Sequence, residues 1–412
     1  MPRGSRKRKT PVGCTTAAPG PVTHTIGSYN MSFASDLGAA IGSERHFITH
    51  GWARAGQTGR VLWENALELL VHFWESEFRP SAMGMQELND ASIVRRSNPS
   101  ATVGGWQAIV RRLQASGRRG FSYAIGHATM KFGSPVVMTV WDTRRLGAEV
   151  FRYVCDLQHD RVAQHSLASA APGDRMPNAA GRPALFVFTK KGYILVNVHA
   201  PNDHVDSVYN NLQKTRDSLS MAFERALEQF SANITHNIKG CFGWTLNPSK
   251  VLVMGDFNDP GHSLKAPLEL RSPGGTVVSV KTDGSPVLSC CYNFNSACPD
   301  GAHPDGFPYF DALGDATEPR RQAGGYVSKG HECWVLDSKE DGELLNQGPA
   351  RPINAKYPGR GSLSSYRFTG DYVMGSIPLG EAIIYRPIEF QHEDGFSLES
   401  DHEMVVGSFL SE

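Results

Sequence analysis

Long apolar runs and an excess of charge are both absent from this 412-residue chain. No stretch approaches the ~18 consecutive apolar residues of a transmembrane helix, so a membrane-spanning protein is not expected. Lysine and arginine number 41, and aspartate and glutamate also number 41, so the net charge does not indicate a polyanionic partner. The basic start is not followed by an apolar segment, so no signal peptide is predicted and an intracellular location is expected.

Cysteine is scarce, and its spacing does not match a structural metal site. The seven cysteines are an odd number, and none of them forms a CxxC pair of the kind that structural zinc sites use. Free thiols are therefore expected, and Cys290 and Cys291 are interpreted as buried residues of one strand. The chain also has no internal repeat.

The first 24 residues combine basic residues with Pro, Gly, Thr and Ala, and offer almost nothing to bury. They are predicted to form a disordered basic arm. The basic cluster from Arg3 to Lys9 is interpreted as a nuclear address, a nucleic-acid contact or a solubilising tail, and the three alternatives stay open.

Short apolar runs alternate with polar segments and predict a chain rich in strands. The predicted strands are Ile26–Phe33, Ala82–Gln86, Phe121–Gly126, Val136–Trp141, Glu149–Val154, Ala184–Thr189, Tyr193–Val198, Thr276–Val280, Asp371–Met374 and Ala382–Tyr385. Apolar residues at helical spacing predict helices at Leu62–Trp74, Trp106–Leu113 and Val205–Phe230. Residues 156–181 are predicted to be a loop, and residues 190–192 a hairpin turn.

The run VLVMGDFND, residues 251–259, is the strongest local signal. Its first part is wholly apolar, which is typical of a fully buried strand, and Pro260 ends it. Asp256 and Asn258 follow at the strand end, on the same side of the chain. A carboxylate beside a carboxamide suits chemistry on a phosphate with a metal nearby, although the run taken alone is better explained as a turn.

Acid, amide and imidazole side chains recur at the ends of the other predicted strands. They are Asn30, Glu87, His199, Asn202, Asp371, Asp401 and His402. Polar groups at the edge of a core cost desolvation energy, which randomly placed loop residues would not require. Their recurrence therefore indicates a shared polar site at the strand ends.

Six short motifs occur along the chain in the order SYN, MQE, NVHAPN, GDFND, GDY and SDH. Together they resemble the endonuclease/exonuclease/phosphatase (DNase I-like) superfamily over residues 26–409. The resemblance implies an α/β (α+β) fold, a four-layer sandwich of two packed mixed β-sheets flanked by helices. It also implies a single domain at residues 25–412 with the active site at one end, where strand termini converge. Residues 260–360, rich in Gly, Pro and Cys, are interpreted as an insertion in that domain.

The resemblance implies a site for Mg²⁺ or Mn²⁺. Glu87 matches the principal metal ligand of the family, Asn30 supports the metal or its waters, and Asp401 is a second candidate ligand. Hard divalent cations bind oxygen ligands and keep several waters, so one or two protein carboxylates are enough.

Catalytic roles are implied for the remaining matched positions. Asp256 orients or deprotonates the attacking water, and Asn258 contacts the phosphoryl oxygen or the nucleophile. His402 stabilises the charge that develops on the phosphoryl group, and Asp371 fixes the orientation of this histidine. Two further matched positions, a second family histidine and a phosphate-contacting asparagine, are His199 and Asn202.

The implied reaction is divalent-metal-dependent hydrolysis of phosphodiester bonds by in-line attack of water. Nucleic acid, DNA or RNA, is the favoured substrate and partner, because the arm and the basic cluster Arg111–Arg119 could follow its backbone. A phosphomonoesterase, or a lipid-headgroup or inositol phosphate phosphatase on the same fold, is the alternative. A catalytically silent binding protein is a second alternative, and a monomer is favoured.

Overall fold

The computed structural model describes residues 21–31, 59–88, 105–127, 136–158, 161–165, 183–200, 208–233, 244–257, 267–282, 290–295, 342–345, 363–368, 370–380, 382–385, 387 and 402–412. Its helices are α1 (Gly59–Glu75), α2 (Trp106–Ala115), α3 (Thr143–Leu146) and α4 (Val208–Asn233). Its strands are β1 (Val22–Asn30), β2 (Ala82–Leu88), β3 (Phe121–His127), β4 (Val136–Asp142), β5 (Glu149–Gln158), β6 (Arg161–His165), β7 (Pro183–Thr189), β8 (Ile194–His199), β9 (Val251–Asp256), β10 (Leu268–Arg271), β11 (Val277–Thr282), β12 (Cys290–Asn295), β13 (Gly342–Leu345), β14 (Leu363–Phe368), β15 (Asp371–Gly375), β16 (Ile377–Pro378), β17 (Ile383–Ile384) and β18 (Val405–Ser411). None of these helices is long and apolar enough to cross a membrane.

Sheet 1 is mixed and centres on β1. Its strand order is β16-β18-β1-β2-β4-β3, with β17 also paired to β18. β1 pairs antiparallel with β18 and parallel with β2. The strand begins at Val22, inside the predicted arm, because residues 22–24 find backbone partners in residues 409–411.

Sheet 2 is also mixed, and the apolar run at 251–256 lies inside it. Its strand order is β10-β11-β15-β9-β8-β7-β5-β6. All six residues of β9 are buried, as the apolar pattern predicts, between a parallel neighbour, β8, and an antiparallel neighbour, β15. The predicted hairpin is present, with β7 and β8 antiparallel and a turn that Gly192 closes by donating to the carbonyl of Thr189.

Three apolar clusters define four layers. Trp141 and Met254 belong to the cluster that both sheets share. Phe73 on α1 and Leu113 on α2 belong to a second cluster, on the outer face of sheet 1. Phe230 on α4 packs on the outer face of sheet 2. The helix–sheet–sheet–helix order confirms the predicted four-layer sandwich.

The α1 helix shows why the apolar spacing predicts these layers. Ala66, Leu70, Phe73 and Trp74 recur at intervals of three and four residues, so they form one stripe, and all four are fully buried. After the helix ends at Glu75, Pro80 prevents any continuation because its ring removes a backbone donor. The chain then enters β2 in the core of sheet 1.

Several strand segments differ from the predicted pattern, among them three in sheet 2. β5 runs on to Gln158, and β6 occupies residues 161–165, where a loop is predicted. β10 is also a strand that the sequence pattern does not predict, and it pairs with β11 at one edge of sheet 2. These segments are short and partly polar, and pairing with a neighbour rather than local pattern makes them strands.

A small third sheet has the order β12-β14-β13. Its strand β12 begins with Cys290 and Cys291, so the predicted strand is present, although their side chains lie outside the described part of the chain. Cys155 on β5 is a free, fully buried thiol, and burial raises its pKa well above the usual range. This thiol is therefore a packing residue rather than a nucleophile.

Candidate active site

Strand register brings three predicted site residues of sheet 2 into one row. β8 and β9 are parallel, and His199 lies directly opposite Asp256. β15 runs antiparallel to β9 on its other side, and Asp371 also lies opposite Asp256. Residues paired across neighbouring strands point to the same face of a sheet, so the three side chains gather at one edge. All three are at most 1% exposed.

Sheet 1 delivers Asn30 to the same place from the facing layer. The residue is the last of β1 rather than a mid-strand position, and it is fully buried. Its Nδ2 donates to Asp256 Oδ2 over 2.9 Å, a hydrogen bond that joins the two sheets. A buried amide requires such a partner, because an unsatisfied one costs about 1–3 kcal/mol.

His402 and Asp371 form an imidazole–carboxylate pair. His402 Nδ1 lies 2.8 Å from Asp371 Oδ2, so the ring donates there and its orientation is set. The other ring nitrogen, Nε2, lies 3.4 Å from Asn30 Nδ2 and 3.9 Å from Asp256 Oδ2. The side chain of His402 is 4% exposed, so the pair is nearly closed to solvent. Nε2 is thereby presented to the centre of the group.

Glu87 enters the group through an irregular backbone. Its φ is +55°, a left-handed conformation that side chains other than glycine rarely adopt. The register between β2 and β4 shifts between Met85 and Leu88, so residues 86 and 87 form a β-bulge. The bulge carries the Glu87 carboxylate to 3.3 Å from His199 Nε2, with 27% of its side chain exposed.

A buried amide network holds this bulge, and sequence reasoning did not identify it. Gln86 Nε2 donates to Asn197 Oδ1 over 2.7 Å, and Asn197 Nδ2 donates to the carbonyls of Met85 and Met138 over 3.2 and 2.8 Å. Gln86 and Asn197 are fully buried. The network therefore ties β2 and β4 of sheet 1 to β8 of sheet 2, directly below Glu87 and His199. Its signal in the sequence is an amide inside the apolar strand YILVNV, the same signal that marks Asn30.

Gly84 makes room for that network. A Cβ at this position would lie 3.0 Å from the Asn197 side chain and 2.5 Å from that of Met254. The absence of a side chain lets the sheets approach closely enough for Asn197 to reach the carbonyls of sheet 1.

The grouped side chains could hold a metal ion. Ligand atoms of Glu87, His199 and Asp256 lie within 4.8 Å of one another, and so do those of Asp256, Asp371 and His402. The first set fits a hard divalent cation, because two carboxylates converge and the more exposed one leaves room for waters. Asn30 contributes by holding Asp256.

Three predicted site residues lie outside the described part of the chain: Asn202, Asn258 and Asp401. Their roles stay predictions. The six others are brought together: Asn30, Glu87, His199, Asp256, Asp371 and His402.

The basic cluster at Arg111–Arg119 does not lie at this site. Arg118 and Arg119 line a cleft with Thr23, at the start of β1, whereas Asn30 marks the end of that strand at the site. Arg112 pairs with Glu68 on α1. The described arginines of this cluster therefore lie on α2, against α1, and at the end of sheet 1 opposite the candidate site.

Comparison with known proteins finds a likeness of structure. No family model matches the chain, and no curated protein matches it. An endonuclease/exonuclease/phosphatase family protein from Bacteroides thetaiotaomicron is similar over 95% of this chain and 96% of its own, with 12% identity and a TM-score of 0.42. Truncated TDP2 from Caenorhabditis elegans is similar over 94% and 98%, with 12% identity and a TM-score of 0.39. ANGEL2, a 2′,3′-cyclic phosphatase, is similar over 95% and 95%, with 12% identity and a TM-score of 0.40.

With identities of 12% and TM-scores below 0.5, these likenesses carry no argument about function. The function proposed below therefore depends on the residues of this chain and their geometry.

Proposed function

We propose that the protein is a divalent-metal-dependent hydrolase that cleaves phosphodiester bonds of nucleic acid by in-line attack of water. The supporting observation is the convergence on Asp256 of an amide, two imidazoles and a second carboxylate, from both sheets. Such a set provides a base for water, a cation for developing negative charge and donors for phosphoryl oxygens.

Asp256 is the proposed base or orienting group for the attacking water. Its Oδ2 accepts from Asn30, and this bond holds the carboxylate in one orientation. His199 Nε2 and His402 Nε2 lie 3.7 and 3.9 Å from the same oxygen, so a phosphate beside Asp256 would meet both rings. Burial of the group keeps bulk water away and strengthens each charge interaction.

His402 is the proposed donor to a phosphoryl oxygen. Since Asp371 accepts from Nδ1, a proton on Nε2 gives an imidazolium that faces the centre of the site. The negative charge of Asp371 favours that protonated form. In this proposal, Asn258 and Asn202 add donors to the phosphate.

Glu87 and Asp401, with Asn30 in support, are proposed to hold Mg²⁺ or Mn²⁺. When bound, the cation would supply charge stabilisation for the phosphoryl oxygens. The observation that supports this metal site is the β-bulge in β2. The bulge places Glu87 at the edge of the buried group, where a hydrated ion can reach it.

The test uses purified full-length chain with Mg²⁺ and four substrates: supercoiled plasmid, single-stranded RNA with a poly(A) tail, an abasic duplex and phosphoinositides. We expect nucleic-acid cleavage that Asp256→Asn and His402→Ala each lower by at least about 10²-fold. Asp217→Asn, on an exposed face of α4, is the matched control and should keep full activity. Activity confined to phosphoinositides would replace the nucleic-acid substrate with a lipid headgroup. Absence of activity on all four substrates would reject the hydrolase.

A further inference from the structure

A second polar feature lies at the opposite end of the sandwich. A cleft of about 1030 Å³ is lined by the start of β1, the end of α1, the α2–β3 loop and α3. Thr23 lines this cleft, whereas Asn30, seven residues later on β1, belongs to the candidate active site. At roughly 3.3 Å per residue, the strand separates the two places by about 23 Å.

Arginine dominates the lining of the cleft. Five arginines from three separate segments face it: Arg79, Arg118, Arg119, Arg144 and Arg145. The acids in the lining are Glu75, Glu77 and Asp142. Among the described residues, only Arg118 pairs with one of them, at 2.9 Å from Asp142 Oδ2. The cleft therefore carries a surplus of positive charge.

Backbone carbonyls help to fix two of these side chains, although Arg118 also donates to the Asp142 carboxylate. Arg118 donates to the carbonyl of Trp74 over 2.9 Å and lies over its ring, 4.1 Å from the centroid. Arg145 donates to the carbonyls of Arg79 and Thr23, each over 2.7 Å. Such contacts orient a guanidinium but leave its charge in place. The positive charges are thus preorganised, which lowers the entropy cost of binding an anion.

Positive charge from this cleft reaches a neighbouring buried histidine. Burial, together with the positive charges of Arg145, Lys191 and Lys250, lowers the pKa of His24 to about 4. For Arg145 itself, burial lowers the pKa, Asp142 raises it and Arg118 lowers it.

Two of the five guanidinium groups are open to a ligand. Arg79 and Arg119 are exposed, and the hydrogen bonds recorded for them among the described residues use backbone atoms: their carbonyls accept from Arg145 and Arg144, and the Arg79 N–H donates to the carbonyl of Ser76. Arg79 also has a φ of +43°, a conformation that costs energy for a residue with a side chain.

We propose that this arginine cleft is a binding site for a chain of phosphate groups, distinct from the catalytic site. Guanidinium groups bind phosphate through pairs of parallel hydrogen bonds, and several fixed guanidiniums suit an anion with several charges. A nucleic-acid backbone and a free polyphosphate share this chemistry. The site does not depend on the proposed function, since it lies at the other end of the sheets.

The test compares binding of two probes, tripolyphosphate and oligothymidylate, to the full chain by calorimetry in EDTA, which prevents hydrolysis. The variant is Arg79→Gln with Arg119→Gln, because neither side chain supports the fold. Arg271→Gln with Lys281→Gln removes the same charge from exposed positions elsewhere and is the matched control.

We expect the cleft variant to bind at least one probe about 10-fold more weakly or worse, while the control binds as the parent does. Loss of tripolyphosphate binding identifies free polyphosphate as a sufficient ligand. Loss confined to oligothymidylate identifies a single nucleic-acid strand as the ligand. In that case the slope of log affinity against log salt concentration should be smaller in the cleft variant by about 1.4, which is about 0.7 for each of the two lost phosphate contacts. Absence of binding by both probes, or equal weakening in both variants, would overturn the proposal.

Discussion

At the scale of single residues, the candidate site depends on which atom each polar side chain offers to its neighbour. Asp256 Oδ2 is the common point, since it accepts from Asn30 and lies within 4 Å of both histidines. His402 is turned towards it because its other nitrogen is engaged by Asp371. Loss of one contact therefore changes the chemistry of the whole group.

Asp371→Asn tests the imidazole–carboxylate pair. The amide keeps the size of the carboxylate but removes its charge, and so removes the preference for a protonated His402. We expect kcat to fall by about 10²-fold or more, with the melting temperature nearly unchanged. Steady-state kinetics and thermal unfolding measure the two quantities. An unchanged kcat would contradict the proposed role of His402 as a donor to a phosphoryl oxygen.

Glu87→Gln tests the metal site without using activity. The amide cannot supply the negative charge that a hard cation requires, so Mn²⁺ affinity measured by calorimetry should fall at least about 10-fold. Glu269→Gln, an exposed acid on β10, is the control and should bind Mn²⁺ as the parent does. Equal affinity in the Glu87 variant would place the metal elsewhere.

At the scale of elements, the bulge in β2 and the close approach of β8 to β9 position the site. Asn197 holds the start of the bulge from the facing sheet, through the carbonyl of Met85 on β2 and that of its β4 partner Met138. Gly255 lets β9 meet β8, because a Cβ there would lie 2.3 Å from the carbonyl oxygen of Val198. His199 and Asp256 follow directly after these contacts.

Asn197→Leu tests the network under the bulge. The variant leaves the amide of Gln86 and two strand carbonyls without their present partner, at about 1–3 kcal/mol for each group. We expect the free energy of unfolding in urea to fall by roughly 3 kcal/mol and Mn²⁺ affinity to fall with it. Ser28→Ala removes only longer bonds of 3.3 and 3.5 Å to Gln86 and should cost less than about 1 kcal/mol. Similar losses in the two variants would contradict the assigned role of Asn197.

Gly255→Ala tests the strand contact. The added Cβ forces β9 away from β8, so we expect a loss of roughly 3 kcal/mol in stability and a drop in kcat as His199 moves from Asp256. Gly380→Ala, where nothing lies within 4 Å of the added atom, is the control. If both variants unfold at the same urea concentration, the close approach of β8 and β9 at Gly255 does not contribute to stability.

At the scale of the whole molecule, a buried histidine links stability to pH. His24 bonds to the hydroxyls of Ser81, Tyr193 and Ser411 over 3.0, 2.8 and 3.0 Å, and these residues come from distant parts of the chain. Burial, together with the positive charges of Arg145, Lys191 and Lys250, lowers its pKa from 6.5 to about 4. Between pH 6.5 and pH 4, His24 therefore binds a proton in the unfolded chain but not in the folded chain.

This linkage sets the direction of the pH dependence. The stabilisation is fully present above pH 6.5, and it is lost as the pH falls towards 4. Between pH 7 and pH 4.5 the loss should be about 2–3 kcal/mol, from a pKa difference of about two and a half units. Urea unfolding at the two pH values measures it, and His24→Gln should show a shallower dependence. An equal pH dependence in parent and variant would exclude His24 as the source.

The local pattern of apolar residues was sufficient to predict most elements of the core. The wholly apolar run of β9 and the helical stripe of α1 predict buried elements, since each period matches one face of its element. It was insufficient for β6 and β10, whose residues become strands only because a neighbour pairs with them. The bulge at Glu87 and the positions of Asn197 and Arg118 also depend on contacts between segments distant in sequence.

The sequence by itself determined most of the buried strands and helices and the set of polar strand ends, because hydrophobic period and strand termini are local properties of the chain. The layered fold was implied by the family that its motifs resemble. Only the tertiary structure decided which polar groups meet. It placed His199, Asp256 and Asp371 in one row through strand register, and it carried the arginine cluster to the opposite end. Register and packing are set by contacts across the sheets, which no local pattern encodes.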